Sequence, residues 1–153
     1  ILKGSGIDVT SAGNSNSFPD VKSADWFAPY VITAVDLGIV QGYPDGTFKP
    51  AQTLNLAENM KILVLAADID TNQIYVTSDP YNDVGRYDWF APYMNFLFKK
   101  RLVGSDHTLW ADGIGDQRAI KFFPEGEMSR KEVAEMLYRI SIEKQWVKVE
   151  RTF

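Results

Sequence analysis

Arg130 stands in the run Ser129-Arg130-Lys131-Glu132. A guanidinium offers a planar, two-pronged donor face that matches a carboxylate, whereas a lysine ammonium is only a point charge. Ser129 and Glu132 form a capping box, so Arg130 falls in the first turn of a helix, near the positive end of its dipole. A cation is poorly placed there for helix stability. That cost favours an anion-binding role over an ordinary exposed first-turn position, and Lys131 adds a second charge. Trp26 and Trp89 offer large ring faces on which the CH-rich side of a sugar can stack, the alternative being core anchors at two helix starts. Asp45 and Gly46 can hydrogen-bond sugar hydroxyls and permit close backbone approach, but any tight turn would choose the same pair.

Other chemistry is excluded by composition. The chain has 153 residues, no cysteine and a single histidine, His107. It therefore has no thiolate nucleophile, disulfide framework, zinc ribbon or iron–sulfur cluster, and no multi-histidine metal site. His107 lies among Asp106, Asp112 and Asp116 without a nucleophile motif. Asp68, Asp70, Asn72 and Asp79 imitate positions of a calcium loop, but Gln73 replaces the required glycine and Asp79 the usual glutamate. Glu125, Glu127 and Glu132 invite a glycosidase reading, which helix capping and dipole compensation explain better. The chain reads as non-catalytic, with no cofactor and no metal.

The formal charge is −4, from 16 basic and 20 acidic residues. Bulk charge thus argues against a nucleic-acid partner. The deficit lies in the first half: residues 1–78 hold four lysines, no arginine and eight acids, whereas residues 79–153 hold twelve basic and twelve acidic residues. An anionic ligand is expected to prefer the second half, with Lys99, Lys100, Arg101, Arg118 and Lys121 as further contacts. No apolar run approaches the ~20 residues of a membrane-spanning helix. A chain opening on Ile1 reads as a portion of something longer.

Positioning these residues is the task of an internal repeat. Asp25-Trp26-Phe27-Ala28-Pro29-Tyr30 recurs unchanged as Asp88-Trp89-Phe90-Ala91-Pro92-Tyr93, and Phe18-Pro19-Asp20-Val21 is echoed at the same offset of 63 by Tyr81-Asn82-Asp83-Val84. Each copy reads as helix, loop, helix. Asp25 is a plausible N-cap for a first helix with Phe27, Val31, Ala34 and Val35 on one face; Phe90, Met94, Leu97 and Phe98 repeat the stripe. The second helices start near Asn55, with Glu58 three residues on, and at Ser129. The spacing predicts a linker over 1–17, copy one over 18–78, copy two over 79–145 with an extended loop at 104–122, and a strand-like tail or linker over 146–153. Copy one joins its helices through Gly42-Tyr43-Pro44-Asp45-Gly46-Thr47-Phe48-Lys49-Pro50, a Pro-Asp-Gly turn. Copy two carries about 11 additional residues there, a length usually functional or mobile.

These residues resemble the S-layer homology repeat, a bacterial module of roughly 50 to 70 residues. The resemblance rests on Phe18-x-Asp20-Val21, the Trp26 helix, the Gly38 to Pro50 stretch and the helix opening at Leu54 to Glu58. It covers residues 18 to about 67 and 81 to about 142. It implies a mainly α fold in which tandem repeats, commonly three, pack as a pseudo-threefold spindle. The inter-repeat grooves then hold cell-wall polysaccharide, often a pyruvylated secondary polymer, or peptidoglycan-linked material, at the bacterial cell surface. Copy two keeps the family's Thr-Arg-Ala-Glu motif in substance as Ser129 to Glu132; copy one has Leu56 at the arginine position. Copy two has lost the Gly-Tyr-Pro-Asp-Gly loop. These departures leave a second expectation open, degenerate repeats that serve self-assembly or await a further repeat.

Overall fold

The computed structural model describes residues 1–9, 18–72, 74–77, 79, 81–100, 102 and 122–150, with side chains as far as 142. Expectations on 10–17, on Arg101, on most of the 104–122 loop (His107, Arg118 and Lys121 included) and on 151–153 lie outside these residues. The chain is mainly α-helical: α1 is Ala28–Asp36, α2 Leu56–Ala66, α3 Ala91–Lys99 and α4 Arg130–Glu150. Among the described residues only two isolated bridges occur, Asn55 with Glu127 and Tyr81 with Val84. Packing divides the chain into two compact units, Ile1–Thr53 and Leu54–Phe153. The division falls inside the first sequence repeat, before its second helix.

In the first unit, Val21, Ala28 and Val31 are buried, with Phe18, Phe27, Val35 and Phe48 packed around them. Phe18 and Phe48 meet at 5.4 Å between ring centroids. Gly42 is required by that contact, since a Cβ there would fall 2.1 Å from Phe18 Cε1. The loop closes on itself as the Tyr43 amide donates to the Thr47 carbonyl at 2.8 Å, with Gly46 at φ 80°. Asp20 then clamps its far end, accepting from the amides of Phe48 (2.9 Å) and Lys49 (2.7 Å). The clamp holds Lys49 at φ 56°, a conformation a lysine rarely adopts.

The N-terminal residues differ from the linker expected of them. Leu2–Ser5 make a 3₁₀ turn, Leu2 is buried, and Lys3 Nζ lies 5.4 Å from the Tyr30 ring centre. One leucine and one cation–π contact supply what the tract's overall composition lacks. Asp25 also departs from its expected role. The N-cap of α1 is Phe27, without a side-chain cap, because Asp25 sits a turn upstream. There its carboxylate accepts from the Lys22 amide at 2.8 Å and its carbonyl from the Ala28 amide.

The second unit reproduces these devices. Asp88 accepts from the Gly85 amide at 2.8 Å, and Tyr81 and Phe122 meet at 5.4 Å as Phe18 and Phe48 do. Asp83 accepts from the amides of Phe122 (2.7 Å) and Phe123 (2.8 Å), with Phe123 at φ 57°. The equivalence shifts from 63 positions to 74 across the longer loop, so the geometry regains register at Phe122 whatever the insertion adds. The core comprises Leu56, Met60, Leu63 and Val64 of α2, Met94 and Leu97 of α3, Met136 of α4, and Val84 and Phe122, all at most 1% exposed. Full burial of each such side chain stabilises by roughly 1.5–3 kcal/mol. Helix α2 packs against both α3 and α4.

The start of α2 is closed on every side. Asn55 and Glu58 complete the capping box, with Glu58 N donating to Asn55 Oδ1 and Asn55 N to Glu58 Oε2. The two remaining free amides find carbonyls of the 124–127 segment: Leu56 donates to Gly126 at 2.7 Å and Ala57 to Pro124 at 3.0 Å. Asn55 Nδ2 adds a bond to Glu125 at 3.0 Å. All four N-terminal donors that a helix leaves orphaned are thereby satisfied. Helix α4 begins with the Ser129–Glu132 box and runs to Glu150, through the first half of the expected strand-like tail. Four alternating residues at 146–149 are too few to override a helix already propagating through them.

Three outcomes follow from these contacts. Asn55→Ala removes a cap and an inter-segment bond and is expected to cost about 1–2 kcal/mol in chemical denaturation. The Tyr81 hydroxyl is buried without a hydrogen-bond partner among the described residues, where copy one carries Phe18. Tyr81→Phe is therefore expected to leave stability unchanged or raise it by about 1 kcal/mol. The third concerns pH. The Phe48 amide, opposed by partial desolvation and aided by the Lys49 amide, holds the Asp20 carboxyl below its ordinary range. Asp45 is held at about 2 by the Thr47 hydroxyl, the Lys49 ammonium and the Thr47 amide. Groups whose folded pKa is depressed stabilise fully above the ordinary carboxylate range and lose that contribution as pH falls through the folded value. The 43–49 loop is thus expected to stay intact down to about pH 4 and to open toward pH 2, followed by the NMR shifts of the Thr47 and Phe48 amides.

Candidate functional site

Each repeat places its tryptophan one residue before a first-helix N-cap, followed by Ala-Pro. The chain enters α1 and α3 in αR backbone at Phe27 and Phe90, which turns those phenylalanines inward and the tryptophans outward. Trp26 is 82% exposed and Trp89 55%. This overturns the alternative that they are core anchors: Phe27 and Phe90 hold that place, each meeting its neighbouring tryptophan edge-on. Trp26 is further braced by Tyr30 at 6.4 Å. An exposed indole fixed in this way loses little side-chain entropy when a flat apolar surface settles on it.

Trp89 has a neighbour that sequence inspection does not reveal. Lys61, on α2, holds its ammonium 5.7 Å from the Trp89 ring centre. The two residues belong to different repeats, and only the packing of α2 beside α3 joins them. With the cation over one face of the ring, the indole and the ammonium together suit a ligand that is both CH-rich and anionic.

Asp45 and Gly46 sit at the tip of the 43–48 loop. Asp45 Oδ1 accepts from the Thr47 amide at 3.0 Å and its hydroxyl at 2.6 Å, and Asp45 Oδ2 pairs with Lys49 Nζ at 3.0 Å. Lys49 in turn lies 4.2 Å from the Tyr43 ring centre. The Asp45 carboxylate is therefore engaged in building the turn. Above Gly46 there is open space, so its backbone is approachable from solvent.

Arg130 and Lys131 are exposed at the start of α4. Neither side chain is held in an ion pair among the described residues, unlike Arg86, which lies 3.8 Å from Asp79, and Arg139, which pairs with Glu135 and donates to the Leu102 carbonyl at 2.9 Å. Glu132 is held below its ordinary range, first by the Ser129 hydroxyl and then by its amide. Its carboxylate is engaged in the capping box, and among the described residues no ion pair joins it to Arg130. The contrast with copy one is physical. Leu56, at the corresponding place on α2, is 1% exposed beneath the 124–127 segment. A guanidinium there would be buried without a partner, and a leucine is not.

The structure brings Trp89 together with Lys61, and Asp45 with Thr47 and Lys49. No hydrogen bond, ion pair or ring contact joins Arg130 to Trp89 among the described residues. The calcium-like acids do not converge either: Asp70 accepts from the Asn72 amide and Asp79 from the Arg86 amide.

The profile of the S-layer homology domain matches residues 17–58. The Middle cell wall protein of Brevibacillus brevis is 46% identical over 52 residues, 34% of this chain and 5% of that protein. S-layer protein EA1 of Bacillus anthracis is 28% identical over 134 residues, 86% of this chain and 14% of that protein. The Cellulosome-anchoring protein of Acetivibrio thermocellus is 38% identical over 55 residues, 35% and 12% of the two chains. This chain thus spans about a seventh or less of the curated relatives it matches. No solved structure matches it. With the Asp20 clamp, the outward Trp26 and the Gly42 to Pro50 loop in place, residues 17–58 of this chain are similar to the S-layer homology domain.

Proposed function

We propose that this chain is a non-catalytic anchoring module that holds an exported bacterial protein to an anionic polymer of the cell wall, at the outer surface. Residues 81–142 act in this reading as a second, divergent S-layer homology repeat. The repeated aspartate clamp, the repeated outward tryptophan and the regained register at Phe122 support that assignment. Relatives named for the S-layer, the cell wall and cellulosome anchoring support the cellular role.

The observation that carries the polymer reading is Arg130, an exposed guanidinium without an ion-pair partner among the described residues, at the electrostatically unfavourable end of a helix. Its fork takes a carboxylate of the polymer, a pyruvate ketal being one such group, and Lys131 supplies further positive potential. Trp89, with Lys61 beside it, and Trp26 offer stacking faces to sugar rings. Gly46 offers approachable backbone, with Asp45 shaping the loop that presents it. Binding of this kind is shared among several weak contacts along a chain, so affinity comes from their number.

A second reading, assembly with other copies or with a further repeat, is favoured by one contact. The 124–127 segment docks on the start of α2, and its counterparts, 50–53 and the start of α4, are the same two parts. Sedimentation velocity without polymer separates the readings: a monomer at all concentrations leaves anchoring alone.

The main test is co-sedimentation with purified bacterial wall sacculi before and after removal of the secondary polymer. Binding is expected only before stripping. Arg130→Ala is expected to reduce it about tenfold, and Trp89→Ala by a similar factor, whereas Asp36→Asn, at an exposed residue to which the reading assigns no role, is expected to change little. Equal failure to sediment with both preparations would overturn the proposal.

A further inference from the structure

The linker between the repeats and the C-terminal half of α3 enclose a feature that the anchoring reading does not use. Ile74, Tyr75 and Thr77 form one wall of an open cleft of about 380 Å³, and Phe96, Lys99 and Lys100 form the other. Volumes of this order accommodate small ligands or a short stretch of a polymer. Tyr75 is 78% exposed, and among the described residues no aromatic ring or cation packs on its face.

Its position is nevertheless built. Asn95, only 6% exposed, directs its amide nitrogen to the Tyr75 carbonyl at 3.4 Å. The Ile74 amide donates to the Thr71 carbonyl at 3.0 Å, closing a turn just before. Burying a carboxamide costs free energy that only such a bond offsets. The other repeat provides an internal comparison. At the same offset, α1 carries Ile32, Thr33, Asp36 and Leu37 where α3 carries Asn95, Phe96, Lys99 and Lys100. The end of α1 is therefore acidic and lacks both the aromatic wall and the buried amide. Lys99 by itself is accounted for by the negative end of the helix dipole. The dipole accounts neither for the buried Asn95 nor for the tyrosine it holds over the cleft.

We propose that this cleft is a contact site for an acidic saccharide, present once in the chain and separate from Arg130. A sugar ring lays its CH face on Tyr75, and its carboxylate takes a charge-assisted hydrogen bond from Lys99, which makes no ion pair among the described residues. Phe96 forms the apolar floor and Thr77 offers a hydroxyl to the sugar's own. An open trough with one ring face and cations at its rim suits a chain passing through. The cleft stands on its own geometry, and the choice of an acidic wall saccharide as its ligand rests on the anchoring reading.

The test uses the whole ¹⁵N-labelled chain and three probes: acidic polysaccharide fragments hydrolysed from bacterial walls, the same fragments with their carboxyls reduced to alcohols, and polyglutamate. The acidic fragments are expected to shift the amides of 74–77 and 95–100. Calorimetry is expected to show affinity falling about fivefold to tenfold in Tyr75→Ala and in Lys99→Asp, both at exposed positions that leave folding intact. Asn95→Ile, which installs the α1 residue, is expected to keep the helical circular dichroism while displacing the Tyr75 amide signal and lowering affinity. Arg130→Ala separates the two sites. Loss of fragment binding in that variant, with no shifts in the cleft of the parent chain, overturns the inference and leaves anchoring standing. Undiminished affinity in both cleft variants, equal binding of the reduced fragments, or preference for polyglutamate would each overturn it as well.

Discussion

A carboxylate that accepts two consecutive backbone N–H groups is the interaction from which both repeats are built. Asp20 does this for Phe48 and Lys49, and Asp83 for Phe122 and Phe123. In each case the second residue of the pair is a bulky side chain at positive φ, a strained geometry that the bonds compensate. The clamp draws the start of a repeat onto the end of its loop, 28 or 39 residues later. The phenylalanine it positions then packs on the aromatic residue two places before the aspartate.

This junction also explains how the two copies tolerate such different loops. The closure of a loop costs entropy that grows only slowly with length, so about 11 additional residues are a small burden if the ends are still gathered. The clamp gathers them, at 63 residues' offset before the insertion and 74 after it. The short loop of copy one needs further support, because its tip must turn within a few residues. Asp45, Thr47, Lys49 and Tyr43 supply it through a chain of exposed contacts.

The same packing has separated the roles of the two second helices. The start of α2 is enclosed by the 124–127 segment, where a cation would be buried and unpaired, and Leu56 stands there instead. The start of α4 keeps Arg130 and Lys131 in solvent. The absence of arginine from the first half of the chain thus has a local cause at this position. Charge in an acidic chain has been kept where it can be reached, around α4 and at the end of α3.

Periodicity was sufficient to place the two first helices, and capping boxes the starts of α2 and α4, because an amphipathic stripe and a capping box are local properties of ten or twelve residues. The duplicated hexapeptide likewise announced the repeat, and the loop motif its kinship. The stripe already put Phe27 and Phe90 inward, but the sequence could not decide whether the adjacent tryptophans join them, and Trp26 and Trp89 proved to be outside. That choice depends on the backbone conformation entering the helix. Nor could it join Lys61 to Trp89, enclose Leu56, or set Asn95 beneath Tyr75. Each of these pairs residues from different repeats or from a helix and a linker, and such pairs exist only once side chains from distant segments compete for the same buried volume.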